Sequence, residues 1–450
     1  MILSPHRDFF IIIFWQAFVT FFSFRCVTHL YRIPLLNCSK DGKFTSYQSI
    51  ILYRKFRADQ IFTGHEMLAG DRVLITDGSG VIMEIVAETD AGDGIELFNG
   101  ILSPGFINCH CHLELSHMKG LLPKHTGLVD FVFKIVTERH FEEAQILSAI
   151  ERAEDEMFKN GIVAVGDICN NSITIPQKLK ARLYYQNFIE ASGVLPSIAE
   201  QRFQRSVDFY AEYAKQLPAN AIVPHAPYSV SPELFGMINE FPNNQLLTIH
   251  NQEIAAENEL FEKKTGDFLR MYEKMNIDIS AFKATGKTSL QTYLPYFTKQ
   301  QSIILVHNVA TSAQDLDFAK PQTSNFKPQT SNPKLQTSNL KPQTYCCLCP
   351  NANLYISNQL PDLNLFSKYS NSIVLGTDSL ASNDQLSILA EMKTLQQHFP
   401  EFNTATLLQW ATANGARALR IEDVYGSFEK GKKPGIVVVS NEFAAVERIL

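Results

Sequence analysis

Between Tyr53 and Gly105 the chain alternates apolar and polar residues in short runs closed by turn residues. Residues 60–64, 71–76 and 81–86 are such runs, the second ending in Asp77-Gly78-Ser79-Gly80. Period-two alternation punctuated by Gly and Asp predicts antiparallel strands. Near the other end, Gly426-Ser427-Phe428-Glu429-Lys430-Gly431-Lys432 leads into Ile436-Val437-Val438-Val439, again a turn followed by a strand. The long middle reads differently. Continuous apolar runs occur at 105–109, 161–165, 181–188, 221–224, 246–249, 302–306, 345–349 and 372–375, with helical periodicity between most of them, as at 142–159. Runs without alternation are strands buried on both faces, and eight of them separated by helices are what an α/β (β/α)₈ barrel requires. The expected architecture is a TIM-type barrel over 105–423, with a small β-sandwich domain formed from 53–104 and 424–450.

Two stretches fall outside this grammar. Residues 9–24 form an uncharged apolar segment, short of the about 20 residues that span a bilayer. A signal-peptide core is a second reading. The reading adopted is that 1–52 is an N-terminal extension outside the fold, with no membrane association expected unless 9–24 is a real anchor. Residues 320–344 carry a degenerate repeat of Lys-Pro-Gln-Thr-Ser-Asn type. One apolar position per repeat and recurrent proline leave no seam to bury, so it reads as a disordered insertion in a helix-to-strand connection.

Composition changes this picture little. With 45% hydrophobic and 19% charged residues and a net charge of −6, nothing suggests a nucleic-acid surface, which needs a basic patch. Eight cysteines in 450 residues make no disulfide framework. They read as free thiols of a cytoplasmic protein.

The chemistry gathers where the barrel strands end, which is where barrel enzymes keep their active sites. His110 and His112 alternate after strand one, so both imidazoles point the same way. Alone, a His-x-His pair is as often a solvated or core pair as a ligand pair. His250 ends strand five as a further nitrogen ligand, and Glu253, three residues on, is an acid/base candidate or an ordinary surface Glu. His307 ends strand six, where a lone histidine is more often structural. Asp378 ends strand eight, where a buried carboxylate needs a partner or a metal, unless it merely caps the next helix. His225 and Tyr228 follow strand four as candidate substrate contacts, and Glu114 follows the histidine pair. Each bland reading stands singly, but together they would have to place ligand-type residues after five strands by accident. Asp167 and Glu190 follow strands two and three and receive no role.

The runs Pro104-Gly105-Phe106-Ile107-Asn108-Cys109-His110-Cys111-His112-Leu113-Glu114, Pro224-His225-Ala226-Pro227-Tyr228, His250-x-x-Glu253, Val306-His307, Cys349-Pro350-Asn351-Ala352-Asn353 and Gly376-Thr377-Asp378-Ser379-Leu380-Ala381-Ser382-Asn383 together resemble the amidohydrolase superfamily, in its deaminase/chlorohydrolase branch. The stretch after His112 and the run at 377–383 are most similar to aminodeoxyfutalosine and S-adenosylhomocysteine deaminase-like enzymes. The resemblance implies one divalent metal ion, Zn or Fe, on His110, His112, His250 and Asp378. It implies Glu253 as proton shuttle, His307 as the group that orients the attacking water, Asp378 as a participant in catalysis, and His225, Tyr228 and Glu114 toward a small-molecule substrate. A hydrolase of carbon–nitrogen bonds that deaminates an amino-substituted N-heterocycle follows, with hydrolysis of another C–N or a C–Cl bond as the alternative. Related enzymes are often dimers or larger, so the resemblance leaves a homo-oligomer open. No lysine ends strand four, which favours one metal over two.

Overall fold

In the computed structural model, residues 30–38, 44–320 and 342–450 are described. The apolar segment 9–24 and most of the repeat at 320–344 lie outside them. The chain divides into two units, Met1–Tyr53 and Arg54–Leu450. In the first, Leu30–Cys38 pairs antiparallel with the leading part of Phe44–Arg57.

In the second unit all eight apolar runs are strands: Phe106–Cys111, Ile162–Cys169, Tyr184–Ala191, Asn220–Pro224, Leu246–Asn251, Ser302–His307, Gln343–Leu348 and Ile373–Leu375. Their ends differ from the predicted ones by up to four residues, because apolarity marks the middle of a strand and the tips of strands one, five and six carry polar site residues. The first four strands pair in parallel as one sheet and the last four as another. Two seams close these sheets into a (β/α)₈ barrel. His250 N–H donates to His225 O at 3.0 Å on one side, and Thr377 and Asp378 N–H both donate to His110 O at 3.0 Å on the other. The second seam brings strand eight very close to strand one. A Cβ at Gly376 would lie 2.8 Å from both Cys347 Sγ and His110 Cβ, so only glycine fits there.

Helices cover the barrel, among them Glu143–Lys159, Ala199–Ala214 and Pro232–Glu240. The last starts at Ser231, whose hydroxyl accepts the Leu234 N–H, an ordinary N-cap. The helix before the repeat, Ala313–Ala319, begins with a capping box on Ser312 and Asp315. The described chain stops at Lys320 and resumes at Pro342, immediately before strand seven.

The two ends of the second unit meet as predicted. Val446–Arg448, Ile436–Val439, Ile101–Pro104, Gln60–Phe62 and Met67–Ala69 form one sheet in that order. Arg72–Asp77 pairs antiparallel with Ile82–Ala87, and Lys55–Arg57 runs parallel to Ile95–Leu97. Phe56, Ile61, Leu74, Ile82, Leu102, Phe428, Ile436 and Val438 pack between these layers as a small apolar core, which makes a β-sandwich. Among the described residues no helix is long and apolar enough to cross a membrane.

Candidate metal centre and active site

Three imidazoles and one carboxylate converge at the C-terminal mouth of the barrel. His112 Nε2 lies 3.2 Å from His110 Nε2 and 3.3 Å from His250 Nε2, and Asp378 Oδ1 lies 3.6 Å from His110 Nε2 and 3.4 Å from His112 Nε2. All four residues are buried, and their ligand atoms lie within 4.8 Å of one another.

Hydrogen bonds alone do not explain this cluster. His250 Nδ1 donates to His225 O at 2.7 Å, so the neutral ring presents a bare lone pair at Nε2. Burial, reinforced by the neighbouring histidines, holds His250 well below the usual histidine range. Burial also takes His112 down to about 3, against the pull of the Asp378 carboxylate. Neutral imidazoles aiming nitrogen at a common point repel one another unless a cation sits there. Ligand bonds of about 2.0–2.1 Å at tetrahedral angles put ligand atoms about 3.3–3.4 Å apart, close to the spacings above. Three nitrogens and one carboxylate oxygen suit Zn or Fe, so the residues present fit a divalent ion.

Asp378 is held for this task. Its backbone is left-handed, at φ 58°, and its N–H is tied to His110 O. Ser382 Oγ donates to Oδ2 at 2.7 Å, leaving Oδ1 toward the histidines. Burial opposes its charge, but His110, His112 and His307 keep the carboxyl well below its ordinary range. Asp378 caps no helix; Ser387 caps the one that follows. Backbone of this kind recurs at the mouth, with Gln252 at φ 45° and His307 at φ 75°, and such strain concentrates where side chains must be aimed. Partners outside a ligand set typically contribute about 10–100-fold to metal affinity. Ser382→Ala is therefore expected to weaken zinc binding by about that factor with the melting temperature of the metal-free protein little changed, as read by chelator competition.

Around the cluster stand the other candidates. Glu253 is buried with Oε2 3.6 Å from His307 Nε2. Burial, and repulsion from Asp378 and Glu257, push its carboxyl well above the ordinary value, which favours its protonated form. His307 Nδ1 donates to Asn353 Oδ1 at 2.8 Å, which leaves the Nε2 lone pair free to accept. Burial brings His307 to about 4. His225 is also taken to about 4, by burial and by His110. Ser229 donates to Ala226 O, so its oxygen receives His225 Nδ1–H at 2.7 Å and His225 Nε2 is an acceptor. Tyr228 is buried, stacked on Phe268 with ring centroids 4.2 Å apart.

A cavity of about 780 Å³ opens onto this group. His112, His225, Tyr228, His250, Glu253, His307 and Asp378 all line it. Glu114 is buried, its carboxylate accepting the Asn170 N–H at 3.0 Å, and it is not among the lining residues. Ser382 and Asn353 stand inside motif runs, but the local sequence does not show their partners. Glu190 lines the cavity without having been given a role.

Residues 101–448 match the family profile described as "Amidohydrolase family". Among curated proteins the chain is 28% identical over 350 residues to an adenosine deaminase of Helicobacter pylori, covering 76% of this chain and 79% of that one. Among solved structures it superposes on the aminofutalosine deaminase of Helicobacter pylori in complex with methylthio-coformycin. The TM-score is 0.68 and the identity 22%, over 86% of this chain and 92% of that chain. An atrazine chlorohydrolase from Arthrobacter aurescens TC1 complexed with zinc matches with a TM-score of 0.64 and 16% identity, over 88% of each chain.

Proposed function

The chain belongs to the amidohydrolase family, as a hydrolase acting on carbon–nitrogen bonds, and from that premise we propose that it deaminates the amino-substituted ring of a purine-nucleoside-like substrate. The observation that carries this reading is the buried Glu253 carboxyl, 3.6 Å from His307 Nε2 at the edge of the three-histidine, one-carboxylate cluster. Replacement of a ring amino group by oxygen needs a proton delivered to the neighbouring ring nitrogen, and a buried carboxyl raised above its ordinary value is equipped to deliver it. The relatives named adenosine deaminase and methylthioadenosine/S-adenosylhomocysteine deaminase support the same substrate class.

His110, His112, His250 and Asp378 would hold one divalent ion, which when bound supplies Lewis acidity that makes water acidic near neutral pH. The chain's own groups do the rest. The His307 Nε2 lone pair accepts an O–H of the attacking water and aims its oxygen at the amino-bearing carbon. Asp378, held ionised, takes a proton from that water. Glu253 passes its proton to the adjacent ring nitrogen and then relays the remaining O–H proton to the departing nitrogen, so that the products are a ring carbonyl and ammonia, and the proton held by Asp378 returns Glu253 to its acid form. His225 Nε2 accepts from the substrate, and Tyr228 packs against it. Among the described residues, six buried free cysteines support a reducing, cytoplasmic setting.

The test is metal content by elemental analysis with ammonia release measured on aminodeoxyfutalosine, S-adenosylhomocysteine, adenosine, guanine and cytosine. About one equivalent of zinc or iron per chain and ammonia from a nucleoside are expected. Metal without ammonia from any of them would move the reaction to another C–N or a C–Cl bond.

A further inference from the structure

Glu190, at the end of barrel strand three, is a buried carboxylate that the mechanism above does not use. Its side chain is 5% exposed. Oε2 accepts from Asn170 Nδ2 at 2.9 Å, but Oε1 is buried and accepts from no donor. His250 Nδ1 is 3.9 Å away and already donates to His225 O at 2.7 Å. Ligand atoms of Glu190, His225 and His250 lie within 4.8 Å of one another, yet that hydrogen bond occupies His250 Nδ1, which argues against a second metal there. A buried acceptor without a donor is rare and unfavourable. This one belongs to the wall of the cavity that the substrate enters.

We propose that Glu190 is a specificity-determining residue that accepts a hydrogen bond from a hydroxyl on the substituent carried by the substrate's heterocycle. The inference rests on the deaminase reading and extends it from the ring to what the ring carries. Glu253, His307 and Asp378 come from strands five, six and eight and surround the reacting carbon. Glu190 and His225 come from strands three and four, on the other flank of His250, where the rest of the substrate lies. The cavity of about 780 Å³ is at the scale that encloses a drug-sized ligand rather than a bare ring. A hydroxyl is the donor a sugar offers at that position, and a carboxyl oxygen accepts it in either protonation state.

The experiment compares kcat/KM of metal-loaded wild type, Glu190→Ala and Glu190→Gln on adenosine and on its 2′-deoxy and 3′-deoxy analogues, with metal content and melting temperature measured alongside. Wild type is expected to lose about tenfold or more when the contacted hydroxyl is removed. Glu190→Ala should lose a similar factor on adenosine but lose nothing further on that analogue, because the two changes delete one interaction. Glu190→Gln, which keeps an acceptor oxygen, should restore much of the loss. Equal losses on all three substrates, or loss of metal from Glu190→Gln, would overturn the proposal by assigning Glu190 to the support of His250. Absence of ammonia with wild type on every substrate would instead overturn the deaminase reading itself, and this proposal with it.

Discussion

Glu253→Gln is expected to fold, bind metal as wild type does and lose about 10²–10⁴-fold in kcat, the range that a positioned general acid or base supplies. Glutamine keeps the shape and the polarity of the side chain but has no proton to give to a ring nitrogen. The residue contributes none of the four converging ligand atoms, so elemental analysis should return the same metal per chain. The pH profile adds an independent check. The carboxyl is raised well above its ordinary value by burial, Asp378 and Glu257. In the proposed mechanism the protonated form is the active one, so kcat should fall as pH rises through that raised value, and Glu253→Gln should lack this alkaline limb at its low residual rate. Loss of metal in the variant, or unchanged turnover, would remove Glu253 from the mechanism.

What could be read from the sequence, and what could not, follows from the range of each interaction. Strands announce themselves locally, since a barrel strand is apolar on both faces and a sandwich strand alternates. All eight barrel runs and the β-rich ends were therefore visible. His110 and His112 were visible as a pair because period-two geometry aims both the same way. The closing seam was not, for the Asn108–Thr377 contact that accompanies it joins residues 269 positions apart, and no pattern in either segment reports the other. The same holds for Asn353, which fixes the tautomer of His307 from 46 residues away. Glu190 is silent in the sequence for another reason. What distinguishes it is an oxygen without a donor, a property of the assembled barrel that no local run of residues encodes.

His112→Ala is expected to have the larger effect on the metal itself. His112 Nε2 is central to the cluster, 3.2 and 3.3 Å from the other two imidazole nitrogens and 3.4 Å from Asp378 Oδ1. Its removal deletes one of the four proposed ligands and leaves two nitrogens and one oxygen around a widened, buried gap. The loss of affinity should exceed the about 10–100-fold that an outer partner such as Ser382 contributes, so the two variants should rank in that order by chelator competition. Turnover should fall to background in proportion to lost metal. The effect on stability gives a second reading without activity. An ion that binds only the folded chain raises its stability by RT ln(1 + [L]/Kd), so zinc should raise the melting temperature of metal-free wild type in a concentration-dependent way. The same titration of His112→Ala should be nearly flat over the range that saturates wild type. A variant that kept one equivalent of metal and the full zinc-dependent shift would show that His112 is not a ligand, and the cluster would then have to be rebuilt around His110, His250 and Asp378 alone.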